Sequence, residues 1–306
     1  MPDILITEFM DERSVDWLAG QFDTEYAPDL ADRQGEIPAR LGGARALIVR
    51  NRTEVSAGLL DAAPSLSVVG RLGVGLDNID QAAAATRKVE VIPATGANDA
   101  AVAEYVISAA LILLRGAWHA SAEVAGGSWP RQRLIGREIG SKTLGLLGFG
   151  GIARQTAARA RSLGMSVLAH DPFASEADPA WTMAERVGRD ALLARSDVLS
   201  LHVPLTAETR HSLSAPEFAA LPAGAIVINA ARGGVLDETA LATALASGHL
   251  GGAALDVFEK EPLTAEAGAP FAGLNVLLTP HIAGVTEESN VRVSRMIAEA
   301  VAARLA

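Results

Sequence analysis

Residues 143–171, TLGLLGFGGIARQTAARARSLGMSVLAHD, have the residue types and spacing of a dinucleotide cradle. An apolar run ends in Gly148-x-Gly150-x-x-Ala153, a helical stretch follows, Gly164 suits the position just past a helix end, and a second apolar run leads to Asp171. Gly148 permits a tight strand-to-helix turn, Gly150 lets a pyrophosphate approach the backbone, and Ala153 is small enough for the helix to lie close against its strand. The N–H groups and dipole at the start of that helix favour a diphosphate. Asp171 is expected to accept hydrogen bonds from both hydroxyls of the adenosine ribose, and its charge repels a 2′-phosphate, which selects NAD over NADP. Further along stand His202 in LSLHVPLT, Arg232 in NAARGGVLDE, Glu261 in LDVFEKEP and His281 in LLTPHIAG. Both histidines and the arginine follow apolar runs, and strand ends line the ligand crevice of an open α/β sheet. A histidine placed there serves either as a general base or as a hydrogen-bonded structural residue, and a loop arginine or glutamate is by default solvated. Residue type and position leave these alternatives open.

The rest of the composition narrows the chemistry. The 306 residues include no cysteine, which removes disulfides, thiolate zinc sites, iron–sulfur clusters and a cysteine nucleophile. Carboxylate, histidine, serine, lysine or cofactor chemistry remains, and no metal site is expected. A net charge of −10 repels phosphate backbones, so nucleic acid is not an expected partner. Hydrophobic residues at 49% and charged residues at 20% describe an ordinary globular chain. At about 150 residues per domain its length suits two. The N-terminus MPDILITEF carries an acid where a signal peptide needs a base. The longest apolar run, residues 100–114, is interrupted by Glu104 and falls short of the ~20 residues that cross a bilayer. The chain is therefore expected in the cytoplasm, without a membrane partner.

The elements that must position these residues follow an α/β rhythm. Short apolar runs bounded by Gly, Pro or Asp read as strands at residues 4–7, 46–49, 67–69 and 89–92, and again at 143–147, 166–169, 198–201, 225–228 and 276–279. Two α/β units are expected, with doubly wound parallel sheets and helices on both faces. Asn98 and Asp99 suit the start of a nearly all-apolar helix over residues 98–117, which marks the crossover between the units. Residues 126–140, with Gly-Gly, Trp-Pro and several arginines, read as loop. The amphipathic stretch 287–305 is expected to return to the first unit.

Taken together the segments resemble the D-isomer-specific 2-hydroxyacid dehydrogenase family over essentially the whole chain. The first unit carries RLGVGLDNID from Arg71 and ATGANDAAVAEYV from Ala94. The dinucleotide segment and then the segments of Arg232, Asp256, Glu261 and His281 follow in the family's order. The resemblance implies two Rossmann-like domains: a flavodoxin-like substrate domain of residues 1–98 plus 284–306, and an NAD-binding domain of residues 99–283 that closes by a hinge over the substrate. It implies that His281 takes the hydroxyl proton as C2 is oxidised, that Glu261 holds the other ring nitrogen, and that Arg232 clamps the carboxylate and C2 oxygen. It further implies that Asp256 binds the nicotinamide amide. Gly151, Ile152, His202, Pro204, Ala230 and Gly284 would line the cofactor cleft, and Arg50, Val74, Gly75 and Asn98 would face the substrate. Gly151 stands where the family often carries a bulkier residue. A two-fold homodimer built through the NAD-binding domain, with the arginine-rich loop around Trp129 as a contact, is also implied.

The substrate is less closely defined. Arg50 and Arg52 in VRNRT and Arg131 and Arg133 in WPRQR are solvated by default. If one faces the cleft, the substrate carries an anion on C3, because a strong cation facing an apolar group is left unpaired. The segments look most like the phosphoglycerate dehydrogenase branch, so a 3-phosphoglycerate-like acid is expected, with (S)-sulfolactate or a hydroxypyruvate- or glyoxylate-type acid as alternatives. From a different class, an NAD-sensing, corepressor-like binding protein is the competing reading.

Overall fold

A computed structural model describes all 306 residues, which form two compact units: Met1–Asn98 with Val285–Ala306, and Asp99–Gly284. The strands, in chain order, are β1 (Ile4–Ile6), β2 (Thr24–Tyr26), β3 (Ala46–Val49), β4 (Val68–Arg71), β5 (Glu90–Pro93), β6 (Thr143–Leu147), β7 (Ser166–His170), β8 (Glu185–Arg186), β9 (Val198–Leu201), β10 (Ala225–Asn229), β11 (Leu250–Leu255) and β12 (Val276–Leu278). The helices are α1 (Glu12–Ala19), α2 (Ile37–Leu41), α3 (Ala57–Asp61), α4 (Gln81–Thr86), α5 (Asp99–Arg115), α6 (Ser121–Ala125), α7 (Gly151–Ser162), α8 (Arg189–Arg195), α9 (Ala215–Ala220), α10 (Glu238–Ala246), α11 (Ala265–Gly268) and α12 (Glu287–Leu305).

The first unit is a parallel sheet in the order β2-β1-β3-β4-β5. The runs ILI of β1 and ALIV of β3 are wholly buried, as central parallel strands are when both faces are covered. Leu5, Leu47, Val49 and Val69 pack one face against α2, α3 and α4, through Ile37, Leu41, Leu59, Leu60 and Ala83. Ile4, Ile6, Ile48 and Val68 pack the other against α1 and α12, through Val15, Leu18, Val293, Ile297 and Val301. Gly70 of β4 lets α12 approach closely: a Cβ there would meet Ile297 Cγ2 at 2.6 Å and Val301 Cγ2 at 2.9 Å. The capping box of Thr286 and Ser289 starts α12.

The second unit is a seven-stranded parallel sheet, β12-β11-β10-β9-β6-β7-β8. Strand order reverses between β6 and β9, and the carboxyl ends of those strands make the switch point where open α/β sheets bind ligands. Helices α5 and α7 cover one face, and α8, α9 and α10 cover the other. The expected doubly wound fold is present, but β2, β8 and β11 escaped the apolar-run reading. The first two are short and polar. β11, LGGAAL, is buried yet made of small residues because its neighbours crowd it: a Cβ on Gly252 would meet Asn275 Nδ2 at 2.7 Å and the Leu113 side chain at 3.2 Å. No helix is long and apolar enough to cross a membrane.

Candidate active site

The dinucleotide turn lies at the switch point. Gly148 adopts φ +93°, and a Cβ there would meet the His202 carbonyl oxygen at 2.5 Å, so glycine is required on both counts. Gly150 caps α7 in extended conformation with open space where a Cβ would stand, which leaves its backbone approachable. Gly151 and Ile152 begin the helix, and a Cβ on Gly151 would collide with the Asp99 carboxylate. Ala153 is fully buried against the sheet. The N-terminal amides of α7 and the bare Gly150 therefore fit a pyrophosphate.

Asp171 follows β7 and helps build the turn itself. Its Oδ2 accepts the Phe149 N–H at 2.8 Å, and its Oδ1 accepts those of Phe173 at 2.9 Å and Ala174 at 3.1 Å. The carboxylate is thus held in place by three backbone donors, with acceptor capacity remaining on its oxygens. Beside it an open cavity of about 500 Å³ is lined by His170, Asp171, Pro172, Arg186, Val187 and Gly188, a size that suits an adenosine. Arg186 and Val187 lie in or beside the two-residue β8, too short a strand to be recognised as a ligand edge.

His202, just past β9, places Nε2 2.9 Å from the Ser200 hydroxyl, and burial pushes its pKa down to about 4. It is neutral near pH 7 and sits at the carboxyl end of β9. Pro204 follows it on the exposed loop, and Ala230 directly follows β10.

Arg232 sits in a turn braced by Asn229, whose Nδ2 donates to the Arg232 carbonyl at 2.9 Å and whose Oδ1 accepts the Ala231 N–H at 3.1 Å. Across from it, Glu261 divides its two oxygens. Oε1 accepts the Phe258 N–H at 3.1 Å, and Oε2 lies 2.8 Å from His281 Nδ1. A carboxylate acceptor assigns the ring proton to Nδ1 and leaves Nε2 with its lone pair outward. Burial by itself would raise the Glu261 pKa. The hydrogen bonds from His281 and Phe258, the charge of His281 when its ring is protonated, and the positive field of Arg232 outweigh it and hold the group below its ordinary value.

Asp256, expected to bind the nicotinamide amide, also has a structural task. Its carboxylate is buried and clamps the loop that presents His281. Oδ1 accepts the Thr279 hydroxyl at 2.6 Å and the Ile282 N–H at 2.8 Å, Oδ2 accepts the Ala283 N–H at 2.8 Å, and the Asp256 backbone carbonyl accepts the His281 N–H at 2.8 Å. Thr279 spends its proton on Asp256, so the Tyr105 hydroxyl, 2.6 Å away, donates to Thr279. Burial pushes the Tyr105 pKa up to about 12, which keeps it a donor. His281 itself adopts φ +58°, a left-handed conformation uncommon outside glycine and one that this clamp maintains. Thr279, Tyr105 and Asn229 were missed because their partners lie far along the chain or in a turn whose shape only the fold reveals. Gly284, half-buried, closes the second unit.

In the first unit the arginines of VRNRT separate. Arg52 pairs with Asp32, and in the other loop Arg133 pairs with Glu123, which accounts for both as local ion pairs. Arg50 is half-buried, and no carboxylate lies within ion-pairing distance of its guanidinium. Val74, exposed, and Gly75, half-buried, follow Gly73 in the loop after β4. Asn98 ends the segment with a buried side-chain Oδ1 that has no hydrogen-bond partner.

A two-domain α/β architecture with a switch-point nucleotide turn and a Glu–His pair at the ends of neighbouring segments defines an NAD-linked dehydrogenase scaffold. Residues 107–283 match the model of the D-isomer specific 2-hydroxyacid dehydrogenase NAD-binding domain, more than half of the chain. The chain belongs to that family. It is 51% identical to the (S)-sulfolactate dehydrogenase of Chromohalobacter salexigens over 296 residues, 96% of this chain and 95% of that one. It is 38% identical to the D-3-phosphoglycerate dehydrogenase of Archaeoglobus fulgidus over 298 residues, 97% of this chain but 56% of that protein. The chain thus spans little more than half of the latter. Among solved structures, D-lactate dehydrogenase from Aquifex aeolicus, complexed with NAD and lactic acid, superposes with a TM-score of 0.85 at 27% identity, covering 99% of this chain and 95% of that one. The chain is an NAD-dependent oxidoreductase of the 2-hydroxyacid dehydrogenase class.

Proposed function

We propose that the substrate is a 2-hydroxy acid bearing an anion on C3, with 3-sulfolactate ahead of 3-phosphoglycerate. Arg50 carries this reading: a half-buried cation with no ion-paired carboxylate, its desolvation only partly offset by the field of Glu8, is costly unless a ligand anion completes it. The similarity to a sulfolactate dehydrogenase over nearly the full length of both chains supports the sulfonate over the phosphate first expected from the sequence.

In the proposed reaction His281 Nε2 takes the proton of the C2 hydroxyl as the C2–O bond becomes a carbonyl, and Glu261 stabilises the imidazolium so formed. Arg232 holds the carboxylate and the C2 oxygen with its planar fork. The amides of Val74 and Gly75, the side chain of Asn98 and Arg50 are assigned to the substrate from the first unit. NAD, held along Gly148, Gly150, Gly151, Ile152 and Asp171, supplies the acceptor for the hydrogen and electron pair leaving C2. The exposed Trp118, Trp129 and Ile135 around the arginine-rich loop support a second copy of the chain as the partner of the NAD-binding unit.

The test is the initial rate of NAD reduction with both enantiomers of 3-sulfolactate, 3-phosphoglycerate, glycerate and lactate. A charge-assisted contact of about 1.5–3 kcal/mol corresponds to roughly ten- to a hundred-fold in kcat/KM for the anionic acids over lactate and glycerate. Equal or better use of lactate removes Arg50 from substrate recognition.

The Glu261–His281 pair makes a second prediction. Glu261→Gln keeps the shape of the side chain but removes the charge that orders the Nδ1–H of His281, so kcat for oxidation is expected to fall by about ten-fold or more with NAD affinity unchanged. An unchanged kcat in a folded variant breaks the pairing.

A further inference from the structure

The surroundings of Arg50 lie wholly within the first unit and are built from four segments of the chain. Glu8, just past β1, is 3% exposed, and its carboxylate is used up by the backbone of the Arg50 loop. Oε1 accepts the N–H groups of Arg50 at 2.8 Å and Thr53 at 2.9 Å, and Oε2 accepts that of Arg52 at 3.1 Å. Asn78 braces the same loop from the other side, donating to the carbonyls of Arg50 at 3.2 Å and Thr53 at 2.7 Å. The loop is thus held rigidly, with a buried negative charge beneath it that raises the Arg50 pKa against the larger lowering from burial. The Phe9 ring lies 5.9 Å from the guanidinium carbon and covers one side of it. On α12, Asn290 Oδ1 accepts the Arg50 Nη2–H at 2.7 Å.

This arrangement fixes the direction of the guanidinium with a neutral group. A carboxylate at position 290 would cancel its charge, and a cation there would add a second. We propose that Asn290 is a specificity-determining residue: by orienting Arg50 through a neutral amide above the buried Glu8, it sets the anion subsite for a monoanionic sulfonate rather than a dianionic phosphate. A sulfonate carries one negative charge at all physiological pH, whereas a phosphomonoester carries about −1.5 to −2 near pH 7. One guanidinium, its field partly offset by Glu8, matches a single negative charge better than nearly two. The sulfonate sulfur is also bonded directly to C3, while the phosphate stands one bridging oxygen farther out, so a rigid Arg50 distinguishes the two by reach as well as charge. The inference rests on the proposed anionic C3 substrate.

The experiment compares kcat/KM for 3-sulfolactate, 3-phosphoglycerate and lactate in the wild-type chain and in Asn290→Lys, Asn290→Asp and Asn290→Gln, with NAD affinity from tryptophan fluorescence as the check on folding. Asn290→Lys is expected to raise the phosphoglycerate-to-sulfolactate ratio by about ten-fold or more, as a second cation near the subsite should. Asn290→Asp is expected to depress both anionic substrates by about ten-fold while sparing lactate. Asn290→Gln, which keeps the acceptor, is expected to retain the sulfonate preference. If Asn290→Lys does not fold, Asn290→Asp tests the same charge balance with opposite sign. A wild-type preference for sulfolactate whose ratios stay fixed in the charged variants overturns the role of Asn290 alone. A wild-type enzyme indifferent to the C3 anion overturns the substrate reading, and this inference with it.

Discussion

Replacing His281 with asparagine is expected to lower kcat for oxidation by about 10³-fold, within the range a positioned general base contributes, while NAD affinity is unchanged. Asparagine is the informative substitution because His281 adopts φ +58°, a conformation that asparagine tolerates and most residues resist. The loop should keep its shape, and only the base is lost. No second base is at hand in the NAD-binding crevice: His202 is neutral, with its Nε2 already facing the Ser200 hydroxyl. Retention of kcat within about ten-fold of wild type would move proton transfer away from His281.

The parts that were legible before the structure were those written locally. Gly148, Gly150, Ala153 and Asp171 fall in one segment of strand, turn, helix and strand, and each obeys a short-range rule about φ, close approach or charge. Strands β3, β6, β9 and β10 announce themselves as short apolar runs because both faces are buried. β11 does not, because close packing against Leu113 and Asn275 replaces branched residues with glycine and alanine. The site was half legible for a related reason. A histidine at a strand end and a glutamate before a proline are visible as candidates, and the family resemblance implies their pairing, but residue type and spacing alone do not carry a contact across 20 residues. Tyr105 and Thr279 lie 174 residues apart, and Arg50 and Asn290 lie 240 apart. No periodicity or spacing carries such partnerships.

Asp256 is recognisable as a candidate by its residue type, yet tertiary contacts set its task. Asp256→Ala leaves the Thr279 hydroxyl and the N–H groups of Ile282 and Ala283 without their acceptor. With each unpaired donor costing about 1–3 kcal/mol where water cannot replace the acceptor, the variant should lose about 3 kcal/mol or more of stability, read as a lowered melting temperature. The larger consequence is on catalysis. The released segment carries His281 in a left-handed conformation that the clamp helps to hold, so the ring should sample positions away from the hydroxyl. A displacement on the order of 1 Å costs about 10²-fold in rate, and kcat should fall by that much below the unfolding temperature. Thr279→Ser, which keeps the hydroxyl between Tyr105 and Asp256, should remain close to wild type. NAD affinity separates the two roles offered for Asp256. A clamp predicts a large fall in kcat with little change in the dissociation constant for NAD, because the sites proposed for the diphosphate and adenosine lie on the Gly148 turn and at the end of β7, away from the His281 loop. A direct contact to the nicotinamide amide predicts weakened NAD binding with the His281 loop intact, and that result would return Asp256 to the cofactor site.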